Sequence, residues 1–220
     1  MPMNMSARQG IAFREIREKW LRDMLPLAGF GPSELISPLP LPDNRAFDSC
    51  RLLTDRRSII ERLPRGGKVA EVGTQEGIFG RFLLDTLSPE ELHLFDIDLD
   101  PLHSLGDPEL SARAIFHEGD SSTLLGTFPA DYFDVIYVDG DHSYDGAKRD
   151  AEMAVTRLKP GGYLIFNDFT IWSPVECIDY GVPYVVCEVI NDHGWPVVFF
   201  ALHPLGYHDI ALQRPGSESL

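Results

Sequence analysis

"KVAEVGTQEGIFGRFLLDTL", residues 68–87, is the stretch that decides how this chain folds. Its first half, "KVAEVG", is a short apolar run that reads as a strand. Its second half, "TQEGIFGRFLLDTL", repeats apolar residues at helical spacing. The strand passes into the helix through Gly73 and Gly77, with Gly80 one turn on. Such a turn lets a ligand approach the backbone and meet amides at the start of a helix.

The same alternation continues on both sides. "ELHLFDID", "ARAIFHEGD", "YFDVIYVDGD" and "YLIFND" read as strands. "DSCRLLTDRRSIIERL", "YDGAKRDAEMAVTRL" and "VPYVVCEVINDHG" read as helices, the second with Ala147, Ala151, Ala154 and Leu158 along one side. "PVVFFALH" and "YHDIALQR" predict an antiparallel hairpin at a sheet edge. The fold class is therefore α/β: a Rossmann-like, doubly wound, mostly parallel sheet with an antiparallel C-terminal hairpin and helices on both faces. In such sheets ligands sit outside the carboxyl ends of the strands, where strand order reverses.

Residues 1–46 stand apart. Ile11, Ile16, Trp20 and Met24 fall near a helical period, and Pro26 ends that helix. The Pro- and Gly-rich segment up to residue 46 cannot form one regular element and has the length of a cover over a site. Two regions are expected: an N-terminal helix and lid, 1–46, and a ligand-binding domain, 47–220.

The glycine pattern narrows the ligand. A dinucleotide site wants G-x-G-x-x-G, and its second glycine position holds Gln75. The G-x-x-x-G-x-G variant fails at Phe79, and there is no Walker A lysine. Loss of the glycine that faces a pyrophosphate suits a ligand without one, although a nicotinamide-dependent dehydrogenase remains an alternative.

At these residues the chain resembles class I S-adenosylmethionine-dependent methyltransferases. "EVGTQEG" is similar to their E-x-G-x-x-x-G signature. The likeness continues through Asp96, "EGD" at 118–120, "FDVIYVDGDH" and "LKPGGYLIFND", in the family's order. It implies that Gly73, Thr74 and Gly77 lie under the methionine part of S-adenosylmethionine, with Glu71 organising the loop. It also implies that Asp96, with Ile97 beside it, binds the ribose hydroxyls, that Asp120 and Ser121 face adenine, and that Asp139 closes the cofactor site.

Behind the strand "DVIYV" stands "DGDHSYDG", three aspartates and a histidine. An EF-hand fails here: its glycine position is Tyr144, its twelfth residue is Asp150, and a strand precedes it. Asp139 with Asn167 and Asp168, at the ends of two strands, forms an oxygen-donor set that suits Mg²⁺. The run "VDGDHSY" followed by "ND" resembles the metal-dependent macrolide-sugar O-methyltransferases and, more distantly, catechol O-methyltransferases. That branch implies a divalent ion at Asp139, Asn167 and Asp168 and a catalytic base at His142. The expected reaction is methylation of a small-molecule hydroxyl on a sugar or polyphenol. Metal-independent N- or O-methylation and an inactive cofactor-binding module stay open.

The totals set limits on partners. With 34 acidic against 19 basic residues, the formal charge is −15. This argues against nucleic acid or an anionic membrane and favours a small neutral or cationic acceptor. Three cysteines without C-x-x-C spacing indicate neither a disulfide framework nor a zinc site. No membrane-length apolar stretch or apolar leader is present, so a cytoplasmic protein is expected. A homo-oligomer is compatible with all of this.

Overall fold

The structure is a computed structural model that describes residues 38–216 other than 174 and 177, together with residues 15, 18, 19 and 22. The chain forms two compact units, Met1–Leu39 and Pro40–Leu220. In the first unit Glu15, Glu18, Lys19 and Arg22 are helical and exposed, the spacing of one polar helix face. Ile11, Ile16, Trp20, Met24 and the expected cover segment 26–37 lie outside the described residues.

The second unit is built on an eight-stranded sheet. Its strands in chain order are β1 (Arg51–Leu53), β2 (Lys68–Val72), β3 (Glu91–Asp96), β4 (Ala114–Glu118), β5 (Phe133–Val138) and β6 (Leu158–Phe166). A two-stranded ribbon follows, β7 (Trp172–Ser173) and β8 (Ile178–Asp179), and then β9 (Val197–Ala201) and β10 (Asp209–Gln213). Across the sheet the order is β1-β9-β10-β6-β5-β2-β3-β4. β2 pairs in parallel with both β3 and β5, while β10 runs antiparallel between β6 and β9. The chain winds outward from β2 to β4, then returns to β5 on the other side. The reversal between β2 and β5 opens the crevice in which doubly wound sheets bind ligands.

Each face of the sheet carries its own core. The helices are α1 (Arg56–Ile60), α2 (Ile78–Leu87), α3 (Asp100–Leu105), α4 (Pro108–Arg113), α5 (Ser121–Gly126), α6 (Tyr144–Arg157) and α7 (Val182–His193). Leu83, Leu84 and Leu87 of α2 pack with Ile59, Ile60, Val135 and Tyr137 on one face. Ala147, Ala151 and Ala154 of α6 pack with Ile136, Val138, Phe166 and Val185 on the other. The alanine stripe read from the sequence is thus the buried side of α6.

Two expectations change. The helix expected over residues 48–63 is instead a strand, β1, followed by the short helix α1. Asp55 causes the break: its carboxylate accepts the Ser58 amide at 2.9 Å and caps a helix that starts only there. The residues before it pair with Phe199–Ala201 of β9, so sheet pairing overrides helical propensity. Because β1 covers β9, the C-terminal hairpin lies inside the sheet rather than at its edge.

Candidate active site

The carboxyl ends of β2, β3, β4 and β5 surround a cavity of roughly 670 Å³, within the range of small-ligand sites. Gly73, Asp96, Ile97, Asp120, Ser121, Asp139 and His142 line it. Of the expected cofactor residues, Glu71 and Thr74 instead line an adjoining cavity of roughly 190 Å³, which shares Gly73 and Asp139 with the first. Gly77 lines neither. It starts α2 with a left-handed φ of 77°, packed against Leu102 and Leu110.

The loop after β2 is shaped by its neighbours. Gly73 has φ of 83°, and a Cβ there would lie 2.0 Å from the Asp139 carbonyl oxygen, so only glycine lets β2 and β5 close at this point. The Gly73 and Thr74 amides both donate to the Phe95 carbonyl, which ties the loop to β3. Gln75 adopts a left-handed φ of 51° without being glycine, a conformation held by its amide donating to Asp96 Oδ2 at 2.7 Å. Asp96 Oδ1 accepts the Asp98 amide. Each Asp96 oxygen accepts one amide, the residue lines the cavity, and a carboxylate has further acceptor capacity for a pair of vicinal hydroxyls. Glu71 is fully enclosed, accepts the Thr74 hydroxyl at 2.8 Å, and burial pushes its carboxyl up to about 8.

His142 stands at the other end of the cavity. Its Nε2 is buried and has no hydrogen-bond partner. It lies 3.5 Å from Asp139 Oδ1 and 3.6 Å from Asp168 Oδ2, ion-pair distances rather than hydrogen bonds. The ring stacks on Tyr180, with centroids 4.5 Å apart and planes 14° from parallel. The Tyr180 hydroxyl is anchored to Glu176 at 2.6 Å. Burial alone would lower the imidazole pKa, but Asp139, Asp168 and Glu176 outweigh it and raise the pKa above the ordinary histidine value. Asp168 reaches His142 from a left-handed φ of 53°, and burial pushes its carboxyl up to about 6.

The expected metal triad does not come together. Asp139 and Asp168 converge on His142, but Asn167 turns its amide inward to Tyr137 Oη at 3.2 Å and to Asp209 at 3.4 Å. Asn167 is 7% exposed and lines neither cavity. Asp139 already faces a cation, since Arg56 Nη1 lies 3.4 Å from its Oδ2. Among the described residues no group of three His, Cys, Asp or Glu is arranged to hold a metal ion. As arranged here, Asp139 and Asp168 face His142, while Asn167 lies outside the walls of both cavities. The physical reason is Asp209: its buried carboxylate, pushed up to about 6 by burial, draws both the Tyr137 hydroxyl and the Asn167 amide into the core.

Residues 70–169 match a family model described as a methyltransferase domain. The matched stretch runs from β2 to just past β6 and takes in the loop and strand ends around the cavity. Among solved structures, an O-methyltransferase family protein from Burkholderia thailandensis is similar, with a TM-score of 0.55 at 16% identity over 74% of this chain. The match spans 56% of the Burkholderia protein, little more than half its length. The N-methyltransferase NodS from Bradyrhizobium japonicum WM9, solved with S-adenosyl-L-homocysteine, gives 0.53 at 14% identity over 73% of this chain and 86% of its own. The [4+2]-cyclase SpnF gives 0.57 at 13% identity over 73% and 80%. At such identities the neighbours share a fold, and the cyclase among them carries a different reaction on it. No curated protein matches the sequence significantly.

Several residues in and around the candidate site had no distinct signal in the sequence. Arg56 sits in "TDRRS" like any surface arginine. Asp209 opens a strand, and Tyr180 and Glu176 belong to an irregular stretch around the β7–β8 ribbon. Tyr137 offered one clue, because a tyrosine inside an apolar strand needs a partner for its hydroxyl.

Proposed function

We propose that this protein transfers the methyl group of S-adenosylmethionine to a hydroxyl of a small molecule, with His142 as general base and without a divalent ion. The observation that supports this reading is the clamp on His142. Nε2 lies between two carboxylates, and the ring is held flat on Tyr180. With Nε2 buried and the residue in the cavity wall, we assign Nδ1 as the nitrogen that meets the substrate.

Bound in the larger cavity, the cofactor supplies an electrophilic methyl carbon on a sulfonium. Asp96 orients it through the ribose, and Gly73 lets β2 and β5 close beneath it. His142 Nδ1 takes the proton of the acceptor hydroxyl as its oxygen bonds to the methyl carbon. When bound, S-adenosylmethionine would supply both the methyl carbon and a thioether leaving group that takes the C–S electron pair. Asp139 and Asp168 stabilise the imidazolium so formed. Arg56 balances Asp139, the task the expected ion would have had. Much of the rate gain is positioning, and proton removal contributes ~10²–10⁴-fold.

The acceptor is a small neutral or cationic molecule, because the cavity wall is rich in carboxylates: Asp96, Asp120, Asp139, Asp141, Asp150 and Glu176 against Arg149 and His142; a sugar or polyphenol hydroxyl is the class first to be tried. Such a wall disfavours nucleic acid. No described helix is long and apolar enough to cross a membrane. The test is transfer of labelled methyl from S-adenosylmethionine to panels of hydroxyl and amine acceptors. Wild type should label hydroxyls, and His142→Ala should lose ~10²-fold or more in kcat while still binding S-adenosylhomocysteine. Labelling of amines alone, or full activity in His142→Ala, would overturn the assignment.

A further inference from the structure

Glu176 enters the wall of the larger cavity from the turn between β7 and β8. That turn is held in place by buried groups. The Glu176 amide donates to Ser173 Oγ at 3.1 Å and the Val175 amide to Tyr207 Oη at 3.3 Å, and these two buried hydroxyls bond each other at 2.7 Å. The carboxylate is held as well. Its Oε2 accepts the hydroxyl of buried Tyr180, whose ring lies flat on His142. A single tyrosine thus spans from the base to the Glu176 carboxylate.

The two carboxylates that flank the base face cations, and Glu176 does not. Asp139 lies 3.4 Å from Arg56 and 3.5 Å from His142, and Asp168 lies 3.6 Å from His142. Asp141 packs on Gly146 at the start of α6, with its Oδ1 accepting the Ser143 amide. Arg149, the remaining cation in the cavity wall, exerts its charge on Asp120 and Asp150. Among the described residues no Lys, Arg or His nitrogen lies within ion-pair distance of Glu176. Tyr180 gives it one neutral donor, whereas a carboxylate has acceptor sites on both oxygens. A negative charge fixed beside the base without a counter-ion suits a ligand that brings the positive charge with it.

We infer that Glu176 receives the protonated amine of the acceptor, and that the acceptor is an amino alcohol or amino sugar with its amine a few bonds from the hydroxyl that His142 deprotonates. This rests on the reading of His142 as the base of hydroxyl methylation, and it names the substrate class of that same site. An ammonium offers three N–H donors and has no lone pair. Pairing with Glu176 therefore orients the acceptor and also withholds its nitrogen from the methyl group, which leaves the oxygen to react.

The test uses matched acceptors that differ in one group: aminocyclohexanols against cyclohexanediols, and methyl aminoglycosides against methyl glycosides. Labelled methyl transfer near neutral pH gives kcat and KM for wild type, Glu176→Gln and Glu176→Lys, and mass spectrometry locates the methyl group. Wild type should prefer the amine-bearing member by ~10-fold or more in kcat/KM, with the methyl on oxygen. Glu176→Gln keeps an acceptor for the Tyr180 hydroxyl but lacks the charge. It should bring each pair within about threefold, chiefly through KM, and its affinity for S-adenosyl-L-homocysteine should match wild type. Glu176→Lys should turn the preference against the amine. Equal kcat/KM within each pair for wild type, or a preference that survives in both variants, overturns the inference alone. A loss of S-adenosyl-L-homocysteine affinity in Glu176→Gln that matches the loss of preference makes Glu176 a cofactor contact and also overturns it. No methyl on oxygen in either series overturns the hydroxyl assignment and the inference with it.

Discussion

Replacing Glu71 by glutamine should make the protein less sensitive to alkaline pH. Unfolded, the carboxyl titrates at 4.5; enclosed between β2 and α2 it titrates at about 8, because burial disfavours its charged form. Between these values the folded state holds a proton that the unfolded state has lost. The group's contribution to stability is therefore full below pH 4.5 and is lost as pH rises through about 8. The steepest loss is ~1.4 kcal/mol per pH unit. From about pH 5.5 to about pH 8.5 it sums to ~3 kcal/mol, or a fall of ~6–12 °C in Tm for a chain of this size. Glutamine keeps the shape and the acceptor for the Thr74 hydroxyl but has no proton to lose. Asp150, Asp168 and Asp209, each pushed up to about 6, add a slope of the same sign, but they are present in both proteins and cancel in the comparison. The assay is thermal unfolding of ligand-free wild type and Glu71→Gln at both pH values. The difference in Tm between them should move in favour of the variant by most of that amount at the higher pH. Parallel curves would refute the claim that Glu71 is protonated in the folded protein.

Other outcomes follow from the same geometry. Gly73→Ala sets a Cβ at 2.0 Å from the Asp139 carbonyl in a left-handed backbone, and should destabilise by ~3 kcal/mol or more in urea unfolding. The kcat–pH profile should rise through an acid-limb pKa above the usual histidine value of ~6.5, because His142 must lose its proton to act. Asp139→Asn removes the main group that raises the His142 pKa against burial, and should move that limb down by ~1 unit or more. Tyr137→Phe strips the Asp209 carboxylate of a 2.5 Å donor in the core and should cost ~1–3 kcal/mol. Chelation with EDTA should leave methyl transfer unchanged, and activity restored only by added Mg²⁺ would contradict the reading of Asn167 as a core residue.

The parallel half of the sheet was legible because each strand is a short apolar run ending in glycine or aspartate, with a helix of clear period after it. Asp96 and Asp139 could be placed for the same reason: a carboxylate at the carboxyl end of a buried strand faces the crevice in this architecture. The readings that failed depend on distant pairing. Nothing local marks Arg51–Leu53 as a strand; it becomes one by meeting β9, far along the chain. Asn167 stood at the expected strand end but faces inward, because Asp209, on a strand that inserts beside β6, draws its amide. Asp120 lines the cavity and also caps α5 through Oδ1, a role its place in "DSST" signals. Asp150 was met only as a failed calcium-loop position, and its burial follows from the packing of α6.

The central claim is that the cavity at the ends of β2, β3 and β4 binds S-adenosylmethionine through Asp96. Calorimetric titration of S-adenosyl-L-homocysteine into wild type and Asp96→Ala tests it most directly. Losing the acceptor for two ribose hydroxyls should weaken binding ~10–100-fold or more while the fold persists. Equal affinity in the two proteins, or no binding by wild type, would contradict it.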